Sequence, residues 1–351
     1  MIYVNGRFLS QNITGVQRFA LSQLVILSKS HDVYVLVPRN ADVSLIPRGI
    51  KYEIIGRFTG HLWEQFDLAW YLLQKSCSSI LYTFSGLPPL LYKNNIFTIH
   101  DVSFRFNPNW FKLSYRLWYD LAYKIAIPRA KKVLTVSEYS KFEIQRYYTI
   151  SEKRIHIVYN GIPERKDRIK DRSNKIHCFK YMLLVSSIEP RKNISRFIDA
   201  FLELKNNDYK LLVVGGGDGN VFKQESKKIS HSKVMFLGYV DDEKLAELYT
   251  NADAFAYPSL YEGFGIPPLE AMSFGCPCIV SNVSSIPEVC GDAAIYFNPL
   301  DVESIKHAIL TILECSEVRS KIRERGFKRL VEIKSNPYSI LSVTNESITS
   351  K

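Results

Sequence analysis

The sequence predicts an α/β protein made of two doubly wound, Rossmann-like domains facing each other across a cleft. Three observations carry this expectation. Short apolar runs alternate with helical patterns along the chain, the rhythm of parallel sheets wrapped by helices. That rhythm breaks once, from Glu164 to Lys175, where nine of twelve residues are charged (six basic, three acidic) and almost none is apolar. Finally, 351 residues with 46% hydrophobic content are long for one core and enough for two.

The elements follow in order. Ile2-Tyr3-Val4 opens the chain as a strand, with Gly15 at the turn after it. Val33 to Val37, Ile54-Ile55, Ile80 to Thr83, Ile96 to His100, Lys132 to Val136 and Ile155 to Val158 complete the first set. A second set runs through Tyr181 to Val185, Leu211 to Val214, Val234 to Leu237, Ala254 to Tyr257, Cys278 to Ser281 and Ile295 to Phe297. The expected organisation is a first domain over 1–163, a linker over 164–177, a second domain over 178–330, and a segment, 331–351, returning to the first domain. Ligand sites of such sheets lie at the carboxyl ends of their strands, and the candidate motifs all fall just after predicted strands.

Composition narrows the function. No basic leader followed by a long apolar run is present, nor any stretch near the roughly 20 apolar residues that span a bilayer, so a cytoplasmic protein is expected. The six cysteines form no C-x-x-C pair and have no histidine at zinc spacing, which points to reduced, mostly buried thiols. A net charge of +11 asks for an anionic partner. Phe104 to Lys132 holds seven basic residues against one acid, Asp120, with eight aromatics between them. Lys112, Arg116, Asp120 and Lys124 form one polar stripe, while Trp110, Leu113, Leu117, Trp118, Leu121 and Ile125 occupy much of the rest. This is either a core helix with a solvated basic edge or a contact with an anionic membrane surface. No motif of a nucleic-acid module is present, so no nucleic-acid partner is expected.

The most informative segment is Glu262-Gly263-Phe264-Gly265-Ile266-Pro267-Pro268-Leu269-Glu270. Its glycines and prolines rule out one uninterrupted helix and predict a strand, a turn, then a helix opened by Pro267-Pro268. Phe264, Gly265, Ile266 and Leu269 keep amides near a positive helix end, which suits phosphate. The two carboxylates suit hydroxyl groups instead. A diphosphate joining a ribose to a hexose would use both, so a sugar nucleotide fits; acids that merely offset a helix dipole would read the same way. Arg191 and Lys192, after the strand ending at Val185, are candidates to neutralise the diphosphate. Neighbouring side chains on a turn diverge, and Lys192 is the preferred one. Gly15 either brings backbone close to the leaving phosphate or makes an ordinary turn. Gly215 to Gly219 has neither the G-x-G-x-x-G spacing nor a following Lys-Ser or Lys-Thr, and is read as a turn.

With its flanks, Tyr257-Pro258-Ser259-Leu260-Tyr261 and Ala271-Met272-Ser273-Phe274-Gly275-Cys276-Pro277, this segment resembles the donor-site signature of the retaining glycosyltransferases of family 4, among them mannosyltransferase-like members of bacterial polysaccharide and O-antigen synthesis. Asn12 to Phe19, Thr98-Ile99-His100-Asp101, Thr135 to Ser140, Val158 to Ile162 and Glu189 to Asn193 agree in order. There are two departures. Val185-Ser186-Ser187 stands where many members carry Gly-Arg, and the aromatic-rich C-terminal helix is weak.

The resemblance implies the GT-B fold and transfer of a hexose from a GDP- or UDP-sugar to a glycan, expected to be lipid-linked. It implies donor contacts from Gly15, Arg191, Lys192, Gly238, Glu262, Phe264, Gly265, Ile266, Leu269 and Glu270, with Glu262 on the hexose, Glu270 on the ribose and Gly238 near the base. His100, Lys192 and Glu262 are the expected catalytic residues. Asp101 either fixes the His100 tautomer or meets the acceptor. Retention would proceed by front-face attack with the departing phosphate accepting the proton, and without a D-x-D motif no metal or other cofactor is expected. A GT-B epimerase or hydrolase, and a silent sugar-nucleotide-binding protein, are the alternatives.

Overall fold

The structure is a computed structural model that describes residues 1–75, 79–161, 179–204, 208–216 and 231–349. The chain divides into two compact units: residues 1–105, 116–161 and 337–351 form the first, and residues 106–115 and 162–336 the second. The linker expected at 164–177 lies outside the described residues.

Unit 1 holds seven parallel strands: β1 (Ile2–Asn5), β2 (Val33–Val37), β3 (Lys51–Ile54), β4 (Ile80–Thr83), β5 (Asn95–Thr98), β6 (Lys132–Thr135) and β7 (Ile155–Ile157). Their spatial order is β3-β2-β1-β4-β5-β6-β7, with Ile2 of β1 paired to Val33 on one side and Ile80 on the other. Helices cover both faces of such a sheet, so its inner strands read as continuous apolar runs. β3 differs, since all four of its residues are exposed. It is an edge strand in which Lys51 and Glu53 alternate with Tyr52 and Ile54, charges that discourage pairing with another chain. The apolar Ile54-Ile55 therefore marks only its end.

Residues 60–73 pack against this sheet. They are α-helical at Gly60–Leu62, π-helical over Trp63–Leu68 and α-helical again over Ala69–Leu73. Trp63 is fully buried among Tyr3, Leu36, Leu68 and Leu81, and its indole N–H donates to the Ile55 carbonyl at 2.9 Å. The helix Ile340–Thr349 belongs to unit 1 as well. Ile340, Val343 and Thr344 are buried, and the Thr344 hydroxyl lies 2.8 Å from that of the buried Tyr82.

Unit 2 holds β8 (Tyr181–Val185), β9 (Lys210–Val214), β10 (Val234–Gly238), β11 (Ala254–Tyr257), β12 (Cys278–Ser281) and β13 (Ala294–Phe297), parallel and in the order β10-β9-β8-β11-β12-β13. The helices Ile194–Leu202 and Val302–Glu314 bury Phe197, Phe201, Ile305 and Ile309 against it. Cys276, Cys278 and Cys290 are buried free thiols. In both sheets the strand order reverses beside the first strand, between β1 and β4 and between β8 and β11. The carboxyl ends at such a reversal splay the loops apart and leave a crevice for ligand.

Candidate active site

The loops leaving β8 and β11 flank the reversal point of unit 2. After β8, Pro190–Lys192 forms a 3-10 turn, and Asn193 ends it in the left-handed conformation. The Asn193 amide donates to the carbonyls of Pro258 and Pro299 at 3.2 and 2.7 Å, tying this turn to the loops after β11 and β13. The Leu260 amide donates back to the Arg191 carbonyl at 2.7 Å. Arg191 and Lys192 are thus held against the strand end carrying Glu262.

These three side chains form a buried ion cluster. Lys192 Nζ donates to Glu262 Oε1 at 2.6 Å, and Arg191 Nη1 to Glu262 Oε2 at 3.2 Å. Arg191 also pairs with Glu189 at 3.0 Å, and Lys192 faces the Tyr257 ring 5.4 Å from its centroid. The neighbouring cations therefore do not diverge, because the tight turn aims both at one carboxylate. Burial alone pushes the Glu262 carboxyl up, but the two cations win and hold it down at about 2. Burial likewise presses the Lys192 ammonium below its ordinary value, opposed by Glu262. With Glu189 included, the cluster holds two cations and two carboxylates.

The turn after Glu262 is stapled from β12. Ser284 Oγ accepts from the Glu262 amide at 3.0 Å, and Ser285 Oγ lies 3.0 Å from the Glu262 carbonyl and 2.8 Å from that of Phe264. Gly265 caps the helix Ile266–Ser273 at a φ of 104°, which an L side chain rarely adopts. With Gly265 as N-cap, the amide of Leu269 falls where the N-cap carbonyl takes the first helical bond, so Leu269 contributes packing, being buried, rather than an open amide. Pro267 and Pro268 carry no amide hydrogen, which leaves Gly265 and Ile266 as open donors at that end. Phe264 is buried beneath the turn. Glu270, one turn along the helix, accepts from the Tyr249 hydroxyl at 3.2 Å. Gly238 ends β10, and its carbonyl accepts the Gly215 amide at 2.8 Å. The remainder of the glycine run, 217–219, lies outside the described residues.

Three candidates belong to unit 1. Gly15 is not at a strand turn: the 3-10 turn Gly6–Ser10 follows β1, and Gly15 is the first residue of the helix Gly15–Ser28, behind the Thr14–Gln17 capping box. A helix starts there because Thr14 and Gln17 satisfy its first amides. His100 Nε2 lies 2.8 Å from the Phe84 carbonyl, and since a carbonyl only accepts, Nε2 carries the proton. Burial keeps the ring neutral by lowering its pKa, which leaves Nδ1 to accept a hydroxyl. It is therefore Phe84, not Asp101, that fixes the tautomer. Asp101 accepts from the Ser103 amide and hydroxyl at 2.8 and 2.6 Å.

Tyr257 and Asn193 lie inside segments already matched in the sequence but were given no role there, and Ser284 and Ser285 have no signature in it. The signal that could have found the serines is their position just after β12, beside the same reversal point.

The helix Leu113–Arg129 is neither wholly core nor wholly solvated. Asp120 is bound by Arg105, Lys124 and Tyr148. On the same helix Leu113, Leu117 and Leu121, spaced by four, are 61%, 62% and 54% exposed. Leu62, Phe66, Trp70 and Leu73 on the 60–73 helix are likewise more than half exposed. No helix among the described residues is long and apolar enough to cross a membrane.

Two parallel sheets of this order, each with a strand-order reversal beside its first strand, define a protein of the GT-B fold. Solved structures agree on the fold. WaaG, a glycosyltransferase involved in lipopolysaccharide biosynthesis, superposes with a TM-score of 0.73 at 18% identity over 100% of both chains. Sucrose-phosphate synthase from Thermosynechococcus elongatus reaches 0.71 at 16% identity over 98% of this chain and 96% of its own. HepE from Anabaena, solved with UDP-glucose, reaches 0.71 at 15% identity over 99% and 98%.

Residues 13–166 match the model of Glycosyltransferase Family 4, and residues 165–329 that of Glycosyl transferases group 1. The chain is 33% identical over 336 residues to O-antigen chain mannosyltransferase RfbU of Salmonella typhimurium, covering 91% of itself and 92% of that protein. It is 34% identical over 246 residues to O-antigen chain mannosyltransferase B of Escherichia coli, covering 65% of itself and 64% of the relative. The chain belongs to glycosyltransferase family 4 and is a mannosyltransferase-like glycosyltransferase.

Proposed function

We propose that this glycosyltransferase moves a hexose, mannose first among the candidates, from a GDP- or UDP-sugar onto a lipid-linked oligosaccharide in O-antigen or capsule-type polysaccharide synthesis, with retention. The observation that carries this reading is the buried Lys192–Glu262 pair, with Arg191 beside it and the Gly265 helix end next to it. The names of the O-antigen relatives support the product class. Lys192 and Arg191 neutralise the diphosphate as charge grows on it, and the amides of Gly265 and Ile266 add donors. Glu262 passes from its resting cations to the outer hydroxyls of the hexose, and Glu270 holds the ribose. His100 Nδ1 accepts a further hexose hydroxyl, Gly238 lies near the base, and Asp101 faces the acceptor. Two side-chain cations supply the charge a metal would bring, so transfer proceeds without one.

A sugar-nucleotide panel tests the donor. The correct compound at 100 times its dissociation constant raises apparent stability by about 2.7 kcal/mol, read as a thermal shift, and the others do not. Product analysis then separates the classes: release of free sugar or an epimer with no acceptor present would point to a hydrolase or epimerase instead.

The partner surface we propose is the cytoplasmic face of an anionic membrane. Two stripes of exposed apolar side chains, Leu113-Leu117-Leu121 and Leu62-Phe66-Trp70-Leu73, lie on helices bordered by Arg57, Lys112 and Arg116. In a flotation assay the protein rises with vesicles containing anionic lipid and stays down with neutral or no lipid. Exchanging Trp70, Leu117 and Leu121 for Ser weakens recovery by about tenfold or more. Equal recovery in all three conditions sinks the membrane contact.

A further inference from the structure

Unit 1 has its own reversal point, between β1 and β4, and the charged groups found there are absent from the site described above. β1 ends at Asn5, which is fully buried, and its side-chain amide donates to Glu64 Oε1 at 3.2 Å and to the Leu87 carbonyl at 3.3 Å. Glu64, on the π-helical segment, is 0% exposed. Its Oε1 also accepts the Leu87 amide at 3.3 Å, and its Oε2 takes Arg7 Nη1 at 3.0 Å and His61 Nδ1 at 2.9 Å. Gly86 is pressed against this group: a Cβ there would sit 2.7 Å from Glu64 Oε1 and 3.0 Å from Arg7 Nη1. The loop after β4 is therefore built around the carboxylate.

The imidazole has a defined outcome. Nδ1 has two neighbours, Glu64 Oε2 at 2.9 Å and Arg7 Nη1 at 3.3 Å. Arg7 makes its shorter contact, 3.0 Å, to the carboxylate itself, and since a carboxylate only accepts, the proton sits on Nδ1 and Nε2 presents a lone pair. Nε2 has no partner among the described residues, and the His61 side chain is one third exposed while Glu64 is wholly covered. The ring is fixed from the sides by Trp118 and Tyr119, whose centroids lie 5.6 and 5.9 Å away in edge-on arrangements. A π-helical turn interrupts the regular hydrogen-bond ladder and is found most often where a side chain must be aimed. Here it aims Glu64 inward, one turn after His61.

We propose that this is a glycan-hydroxyl subsite: His61 Nε2 accepts a hydroxyl of the acceptor sugar, and Glu64 with Arg7 positions the imidazole without touching the sugar. A neutral acceptor between aromatic rings suits a polyol, whose hydroxyl donates and whose C–H face packs on the rings. The chemistry does not favour a free anion, because the lone pair at Nε2 repels one and the Arg7 charge is already taken by Glu64. The subsite deepens the glycosyltransferase reading and rests on it for the identity of the sugar as acceptor.

The test separates the two. Full-length protein with 15N-labelled histidine is titrated with a panel of mono- to trisaccharides ending in mannose, glucose, galactose or N-acetylhexosamine. At least one shifts the His61 Nε2 resonance in the wild type, and the shift is absent from H61A. In transfer assays H61A raises the acceptor KM by about tenfold, the scale of one lost hydrogen bond, while the donor-induced thermal shift is unchanged. H61N, whose amide oxygen still accepts, recovers most of the loss. E64Q keeps the loop contacts but weakens the hold on Nδ1, and so shifts the His61 resonance before any sugar is added. No sugar perturbing His61, or an H61A acceptor KM equal to wild type, overturns the subsite. Absence of transfer by the wild type, with His61 still responding to sugar, overturns the enzyme reading alone.

Discussion

Lys192→Ala lowers kcat by about 10²- to 10³-fold, the scale of removing one electrostatic stabiliser from a preorganised site. Lys192 concentrates its charge on one small ammonium, which is buried on a 3-10 turn and donates to Glu262 and Tyr257. A lone ammonium in such a place interacts with growing phosphate charge at low effective dielectric, where attraction is strong. Arg191→Ala costs less, because Arg191 divides its fork among Glu262, Glu189 and the Tyr261 carbonyl. Steady-state kinetics with saturating donor and acceptor measures both. A K192A enzyme within threefold of wild type would remove Lys192 from the reaction.

Glu262→Ala destabilises unit 2 by about 3–5 kcal/mol, the range seen when one member of a buried ion pair is deleted and its partner stays behind. Lys192 loses its paired carboxylate while Arg191 keeps Glu189, and the cavity left by the side chain adds to the penalty. Glu262→Gln keeps the volume and an oxygen that accepts from Lys192, and so loses markedly less. The same pair sets the acid response. The folded carboxyl, at about 2, lies below its ordinary value of 4.5, so its contribution is complete above that value and is lost as pH falls from 4.5 toward 2. Acid unfolding followed by far-UV circular dichroism should show this component in the wild type and not in E262Q. Equal acid midpoints for the two proteins would mean that Glu262 is not held by its cations.

The strands were legible because most are buried on both faces and therefore apolar in sequence. β3 shows the limit: as an exposed edge it alternates charge with apolar residues, and only Ile54 resembles a core strand. The turn from Glu262 into the helix Ile266–Ser273 was equally readable, since Gly265 and two prolines act through backbone geometry that is local in sequence. The partners of Glu262 were readable as candidates but not as partners. Lys192 lies 70 positions away, and no periodicity joins residues brought together by β8 and β11 being neighbours in a sheet. Glu64 was invisible for a stronger reason. In the run His61-Leu62-Trp63-Glu64-Gln65 a regular helix would give no warning that the acid is buried, and a π-helical turn has no composition of its own.

Unit 1 is closed by a helix that the ribosome delivers only after unit 2. Its seven strands lie within residues 1–161, yet the ground under Ile340, Val343 and Thr344 stays bare while the whole of 162–336 is translated. At ordinary elongation rates that delay is on the order of ten to thirty seconds. During it the Tyr82 hydroxyl, enclosed in the finished protein, has no Thr344 to meet, and the helix Gly15–Ser28 lacks its neighbour. Unit 2, drawn almost wholly from one uninterrupted stretch, waits for nothing downstream. The unit encoded second is thus the one that can be completed first, and a nascent chain halted before residue 340 carries a finished unit 2 and an unfinished unit 1.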